Sequence, residues 1–202
     1  KSEGRRRKAF LILSIVANLG MLGFFKYFNF LNTNLSGIAH WLDWNYPIPA
    51  LNILLPIGLS FHTFQSMAYT IEVYRGKQKA ERHLGILALY VLFYPQLVAG
   101  PIERPGHMLP QFHEEHKFDL VHAGDGLRLM MWGFFKKLVI ADRLALLVNS
   151  VYANPGNYSG PLLVLTAIAF AYQIYCDFSG YSDIAIGAAR VMGFRLMTNF
   201  DR

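Results

Sequence analysis
Residues 177–187 read DFSGYSDIAIG, between the apolar runs LLVLTAIAFAYQIY (162–175) and AARVMGF (188–194). Two aspartates, two serines and a tyrosine interrupt what would otherwise be a continuous hydrophobic stretch. Asp177 and Asp183 are six residues apart, so on an unbroken helix they point about 120° apart and could not jointly hold one ion. Gly180 is a candidate break between two helices. An ionised side chain at membrane depth costs roughly 2.5–3.5 kcal/mol on insertion scales, so these acids need a wet cavity or a partner. Arg190, seven residues after Asp183 on the same helical stripe, is the partner expected from local spacing.

The composition supports a membrane setting. The 202 residues are 53% hydrophobic and 15% aromatic, with 16% charged, against roughly 25% charged in soluble domains. The net charge of +6 is carried by short basic clusters beside apolar runs, such as RRRK (5–8) before AFLILSIVANLGMLGFF (9–25). That pattern anchors a chain at a membrane and does not resemble a nucleic-acid reader. Cys176 is the single cysteine, so no disulfide forms within the chain. The chain starts at Lys1 and reads as an internal piece of a longer protein, one partial membrane domain over 1–202.

Apolar helices are expected near 9–31, 51–74, 84–100, 161–176 and 181–197, and an amphipathic helix near 123–148. Pro95 and the Gly100-Pro101 pair suggest a broken or re-entrant helix over the third of these. In the amphipathic segment Asp125, Arg128, Lys136, Asp142 and Arg143 fall within an arc of about 120°, leaving Lys137 alone on the apolar side. RRRK and RGKQKAERH (75–83) should share the cytoplasmic side, with Trp41 and Trp44 in an outer loop.

His62, Gln65, Ser66, Tyr69 and Glu72 form one polar stripe, whose common use in membranes is hydrogen bonding between helices. The run ERPGHMLPQFHEEHKFDLVH (103–122) gathers four histidines and four acids. It lacks the HExxH spacing that sets two imidazoles one turn apart, and it reads as a solvated loop with no metal site. No phosphate-binding glycine loop and no GxSxG elbow occurs.

Four ordered stretches, LPIGLSFHTFQSMAYTIEVYRG (55–76), FYPQLVAGPIERPGHMLPQF (93–112), GFFKKLVIADRL (133–144) and YQIYCDFSGYSDIAIGAARVMGFRLMTNF (172–200), together resemble the membrane-bound O-acyltransferase family, in its bacterial alginate-acetylating branch. The resemblance implies an all-α, polytopic integral membrane protein of the bacterial cytoplasmic (inner) membrane. It implies O-acyl transfer, acetyl above all, to a secreted polysaccharide such as alginate. The partners implied are the lipid bilayer, a cytoplasmic acyl donor such as acetyl-CoA or an acyl carrier acting as co-substrate, and extracytoplasmic acetylation proteins, with no bound cofactor.

Within the family the catalytic histidine follows the Asn-Phe pair that closes the fourth stretch, here Asn199-Phe200. It is therefore expected C-terminal to Arg202, no catalytic residue is assigned here, and the 202 residues alone are expected to be inactive. Asp177, Ser179, Tyr181, Asp183 and Arg104 are the candidates for substrate binding or active-site lining. A polytopic transporter, relaying protons or binding a cation at Asp177 and Asp183, is the competing reading.

Overall fold
The computed structural model describes residues 4–49, 58–96 and 100–200. Among these, every regular element is helical: α1 (Gly4–Trp41), α2 (Leu59–Tyr74), α3 (Leu84–Val91), α4 (Pro105–Met108), α5 (Leu120–Phe134), α6 (Asp142–Ala153) and α7 (Gly160–Val191), with a π-helical stretch at Phe135–Ala141 and short 3-10 turns. The chain forms two compact units, Lys1–Leu92 with Arg104–Gly106, and Phe93–Glu103 with His107–Arg202.

In the first unit α1 is longer than expected. Its 38 residues correspond to about 57 Å at the α-helical rise of 1.5 Å per residue, well beyond a hydrocarbon core of about 30 Å. Its apolar side chains, Phe10, Leu13, Val16 and Met21 among them, are exposed, as a lipid-facing helix requires. Polar residues on α1 meet α2 instead: the Ser14 and Thr70 hydroxyls are 3.2 Å apart. Arg7 donates to the Tyr74 carbonyl oxygen at 2.9 Å, where a cation also complements the negative end of the α2 dipole. The basic stretch in the first turns of α1 and the one after α2 therefore lie at the same end of this pair.

α2 begins after Gly58, whose φ of 78° admits glycine far more readily than other residues. Residues 51–57, expected to belong to this helix, lie outside the described residues. The polar stripe of α2 bonds to the end of α3, as interhelical bonding predicts: the His62 imidazole meets the Val91 carbonyl oxygen at 2.8 Å and Gln65 donates to that of Tyr90 at 2.7 Å. α3 ends at Val91 and a 3-10 turn follows at Tyr94–Gln96, so the helix expected over 84–100 is broken as the prolines suggested.

The second unit is built on α7. DFSGYSDIAIG does not divide two helices; α7 runs unbroken for 32 residues through Gly180 and ends at Val191. The expected separate helices at 161–176 and 181–197 are one, and residues beyond Gly193, at φ 87°, turn back in a non-helical segment. A single helical glycine costs only about 1 kcal/mol relative to alanine, which tertiary contact readily offsets.

That contact is with α5, which lies antiparallel to α7. A Cβ on Gly133 would stand 2.6 Å from the Gly180 carbonyl oxygen, and one on Gly187 would stand 2.5 Å from that of Gly126. Both glycine pairs are spaced seven residues apart along their helices. They bring backbone against backbone, as small residues do between membrane helices. The amphipathic helix expected at 123–148 is longer, extending from Leu120 through the π stretch to Ala153, and Lys136 on its charged stripe turns inward toward α7.

The stretch 103–122 is only partly the solvated loop expected. Glu103, Met108 and Leu109 are buried, and exposure becomes continuous from His113 onward. Phe93, Phe112 and Phe194 pack ring to ring with centroids 5.1–5.4 Å apart, fastening this strap to the end of α7.

Gly133→Ala should lower stability by about 1–3 kcal/mol, the usual range for overpacking. Gly124→Ala, on the same helix with open space around its Cβ position, should be neutral or stabilising by up to about 1 kcal/mol. Thermal unfolding of both variants in detergent checks the contrast; equal midpoints would contradict the close backbone contact.

Candidate functional site
Two consecutive lysines decide the chemistry of the second unit. Lys136 and Lys137 sit in the π-helical stretch Phe135–Ala141, where i→i+5 bonding widens the turn, a distortion frequent at functional sites. Both reach α7. The Lys136 ammonium is 2.6 Å from a carboxylate oxygen of Asp183 and donates to the Ser179 hydroxyl at 3.1 Å. Lys137 lies 2.8 Å from Asp177 and donates to Asp142 at 2.9 Å, with its ammonium 5.2 Å from the centre of the Tyr181 ring.

Gly180 permits this approach. A Cβ there would lie 3.2 Å from the Lys137 backbone nitrogen and 3.4 Å from the Lys136 Cβ. The glycine of the motif thus admits the lysine-bearing turn rather than breaking the helix.

The two halves of the cluster differ in burial. Lys136 and Asp183 keep 12% and 7% of their side-chain surface, while Lys137 and Asp177 keep 22% and 41%. The inner pair is a closed clamp. The outer group is open on one side, with Tyr181 and Asp142 at its edge. Both lysine contacts to α7 bring an ammonium within ion-pair distance of a carboxylate oxygen.

Four of the five sequence candidates, Asp177, Ser179, Tyr181 and Asp183, are gathered by the two lysines. Arg104 is exposed and belongs to the first unit. Asp183 is paired with Lys136, 47 positions upstream, and not with Arg190 as local spacing suggested. Arg190 instead lines a cavity of about 540 Å³ with Arg195, His116, His122, Asp119 and Asp125.

At the edge of that cavity Asp119 caps α5, accepting from the Val121 N–H at 2.8 Å and pairing with His122 at 2.8 Å. The His122 ring and that N–H hold the Asp119 carboxyl below the usual carboxylate range. Its folded value is lowered, so the cap's contribution is complete above the ordinary aspartate range and is lost as pH falls through the lowered value.

Lys136, Lys137 and Asp142 were missed as site residues. Their signal was the KK pair inside the apolar run GFFKKLVIA, and the isolation of Lys137 on the helical wheel. Among the described residues no imidazole joins the cluster and no group of three His, Cys, Asp or Glu side chains could hold a metal ion. What the cluster provides is a charge-paired polar surface with an exposed rim.

Comparison with known proteins identifies the family. The chain is 42% identical over 199 residues to a probable alginate O-acetylase of Pseudomonas aeruginosa, covering 98% of this chain and 38% of that protein. By sequence, the chain belongs to the membrane-bound O-acyltransferase family. It is also 33% identical to a peptidoglycan O-acetyltransferase of Helicobacter pylori, over 96% of this chain and 41% of that protein. A teichoic acid D-alanyltransferase of Bacillus subtilis is 26% identical over 76% of this chain and 40% of its own length. No family model matches the chain. The chain spans about two fifths of the length of these relatives.

For the inner clamp, Asp183→Asn or Lys136→Met alone should cost about 3–5 kcal/mol by leaving a buried charge unpaired, and the double variant less than the sum. Arg190→Gln should give no rescue of Asp183→Asn. Folded yield from membranes across these variants is the measurement; rescue by Arg190→Gln and not by Lys136→Met would reverse the pairing.

Proposed function
We propose that this chain forms part of the helical wall of a membrane-embedded O-acyltransferase that moves an acyl group, acetyl in the first instance, onto a hydroxyl of a secreted polysaccharide such as alginate or a related cell-envelope polymer. The observation that carries the reading is the 42% identity to an alginate O-acetylase across almost the whole chain. The relatives reported above are named as transferases of acyl groups to envelope polymers, and none is a transporter. Asp177 and Asp183 are each matched to a lysine of the same unit, at 2.8 and 2.6 Å, so the two acids are accounted for as charge pairs within the fold.

In this reading the acyl donor, acetyl-CoA or an acyl carrier, approaches from the cytoplasm and the polymer from the opposite face, together with extracytoplasmic acetylation proteins. Much of the rate enhancement would come from holding donor and acceptor in one geometry across the membrane, an effect that can supply about 7–11 kcal/mol. The lysine and aspartate cluster serves as a fixed wall for that encounter: its charges are paired before anything binds, and Tyr181 and Asp177 present polar atoms along it.

The reading places the protein in the bacterial inner membrane as a multi-pass protein. In the first unit Arg7 at the end of α2 supports a shared cytoplasmic side for both basic stretches. In the second, residues 144–163 hold no charged side chain, whereas Lys117, Arg128, Arg190 and Arg195 lie toward the opposite end of the hairpin. The excess of lysine and arginine puts that end in the cytoplasm.

The decisive assay uses the full gene product in oriented inner-membrane vesicles, with labelled acetyl donors of both classes and alginate. Label should pass to the polymer from the cytoplasmic side; folded protein that transfers from neither donor class to any envelope polysaccharide would sink the proposal. Topology is checked separately by cysteine labelling in a Cys176→Ser background. Asn45→Cys and Asn157→Cys should react with an impermeant reagent from outside, and Gln78→Cys and Glu115→Cys only after the inner face is opened.

A further inference from the structure
After Gly193 the chain reverses and runs back beside α7, and one buried acid on the strap sets where it lies. Glu103 is almost fully buried at 1% exposure. One carboxylate oxygen accepts from the Met197 backbone N–H, and the other meets the His107 ring at 2.8 Å. Two residues earlier on the same segment, Arg195 is held through both backbone groups by Gln111, at 2.8 and 3.0 Å. Further on, Asn199 donates to the Ser182 hydroxyl at 3.5 Å, and the Phe200 ring packs against Tyr175 and Phe178 with centroids 5.6 and 5.3 Å apart.

We propose that Glu103 is a positioning residue: through Met197 it fixes the register of the segment 194–200 on α7, and so places Asn199 and Phe200 beside the Asp177–Asp183 cluster. The segment has no ladder of its own, so register must come from side chains that bind its backbone. A slip of one residue would exchange the faces of Asn199 and Phe200 and withdraw the amide from Ser182. Only the catalytic consequence rests on the acyltransferase reading; the register does not.

The test uses the full gene product with Cys176→Ser, Phe178→Cys and Phe200→Cys, joined by a short bifunctional thiol reagent, and scores the folded fraction alone. Glu103→Ala should slow cross-linking about tenfold. Glu103→Gln, which keeps an oxygen for the Met197 N–H, should stay within about threefold of the parent. If Glu103→Ala does not fold, Glu103→Asp, which retracts the carboxylate by one methylene, serves in its place and should also slow the reaction.

Acetyl transfer is measured with Phe178 and Phe200 intact, and Glu103→Ala should lower kcat with little change in donor KM, with Gln restoring it. Unchanged cross-linking in Glu103→Ala, or a Gln variant as slow as Ala, would overturn the assignment. Cross-linking that responds as expected in a protein whose parent transfers no acyl group would overturn the enzymatic reading and leave the register intact.

Discussion

The second unit depends on two places where the backbones of α5 and α7 touch without a side chain between them. At Gly126 with Gly187 and at Gly133 with Gly180, any Cβ would meet a carbonyl oxygen at 2.5–2.9 Å. The separation this allows is short enough for Lys136 and Lys137 to contact Asp183 and Asp177 directly. Without it, each ammonium would have to bridge a wider gap or stay unpaired. In low-dielectric surroundings an unpaired buried charge is among the most destabilising features a fold can carry. The glycines therefore govern the charges, and the charges govern the polar surface that α7 presents.

The cluster has an internal order that follows from burial. Lys136, Ser179 and Asp183 are closed off and fully engaged with one another. Lys137 is shared between two carboxylates, with an aromatic face beside it. A shared cation holds its neighbours in place while leaving carboxylate oxygens available at the rim. That arrangement suits a wall along which a polar substrate is guided, since its electrostatics are set before anything binds. A cluster with an unshared, desolvated acid would instead be suited to taking up a proton.

Helices were legible in the sequence wherever a long apolar run supplied them, as in α1 and α7, and the prolines announced the break after α3. The motif at 177–187 misled on continuity because local propensity marks Gly180 as weak, while its benefit comes from α5, some 47 residues upstream. The partner of Asp183 was misplaced for the same reason: periodicity within one helix can nominate Arg190 but carries no information about a lysine on another helix. Lys137 was the more readable clue. A wheel drawn at 100° per residue leaves it alone on the apolar side, and the structure shows that this side faces α7 and its aspartates at a π-helical turn. Glu103 was hidden in a run whose composition is that of a solvated loop, and nothing short of the tertiary structure separates its buried first half from its exposed second.

The charge arrangement of this hairpin also bears on how it enters a bilayer. On insertion scales each lysine or aspartate at mid-membrane costs roughly 2.5–3.5 kcal/mol. In this cluster the α5–α6 arm carries Lys136, Lys137 and Asp142, and α7 carries Asp177 and Asp183, so neither arm enters cheaply by itself. Held together in the observed register, each of these groups has an opposite charge beside it before it loses water. The arms are joined by the uncharged turn around Pro155–Asn157, which sets no electrostatic barrier to crossing. The hairpin is thus a single unit of biogenesis: the translocation machinery would have to retain the first arm at a protected site until the second emerges, and release the two into lipid as a pair.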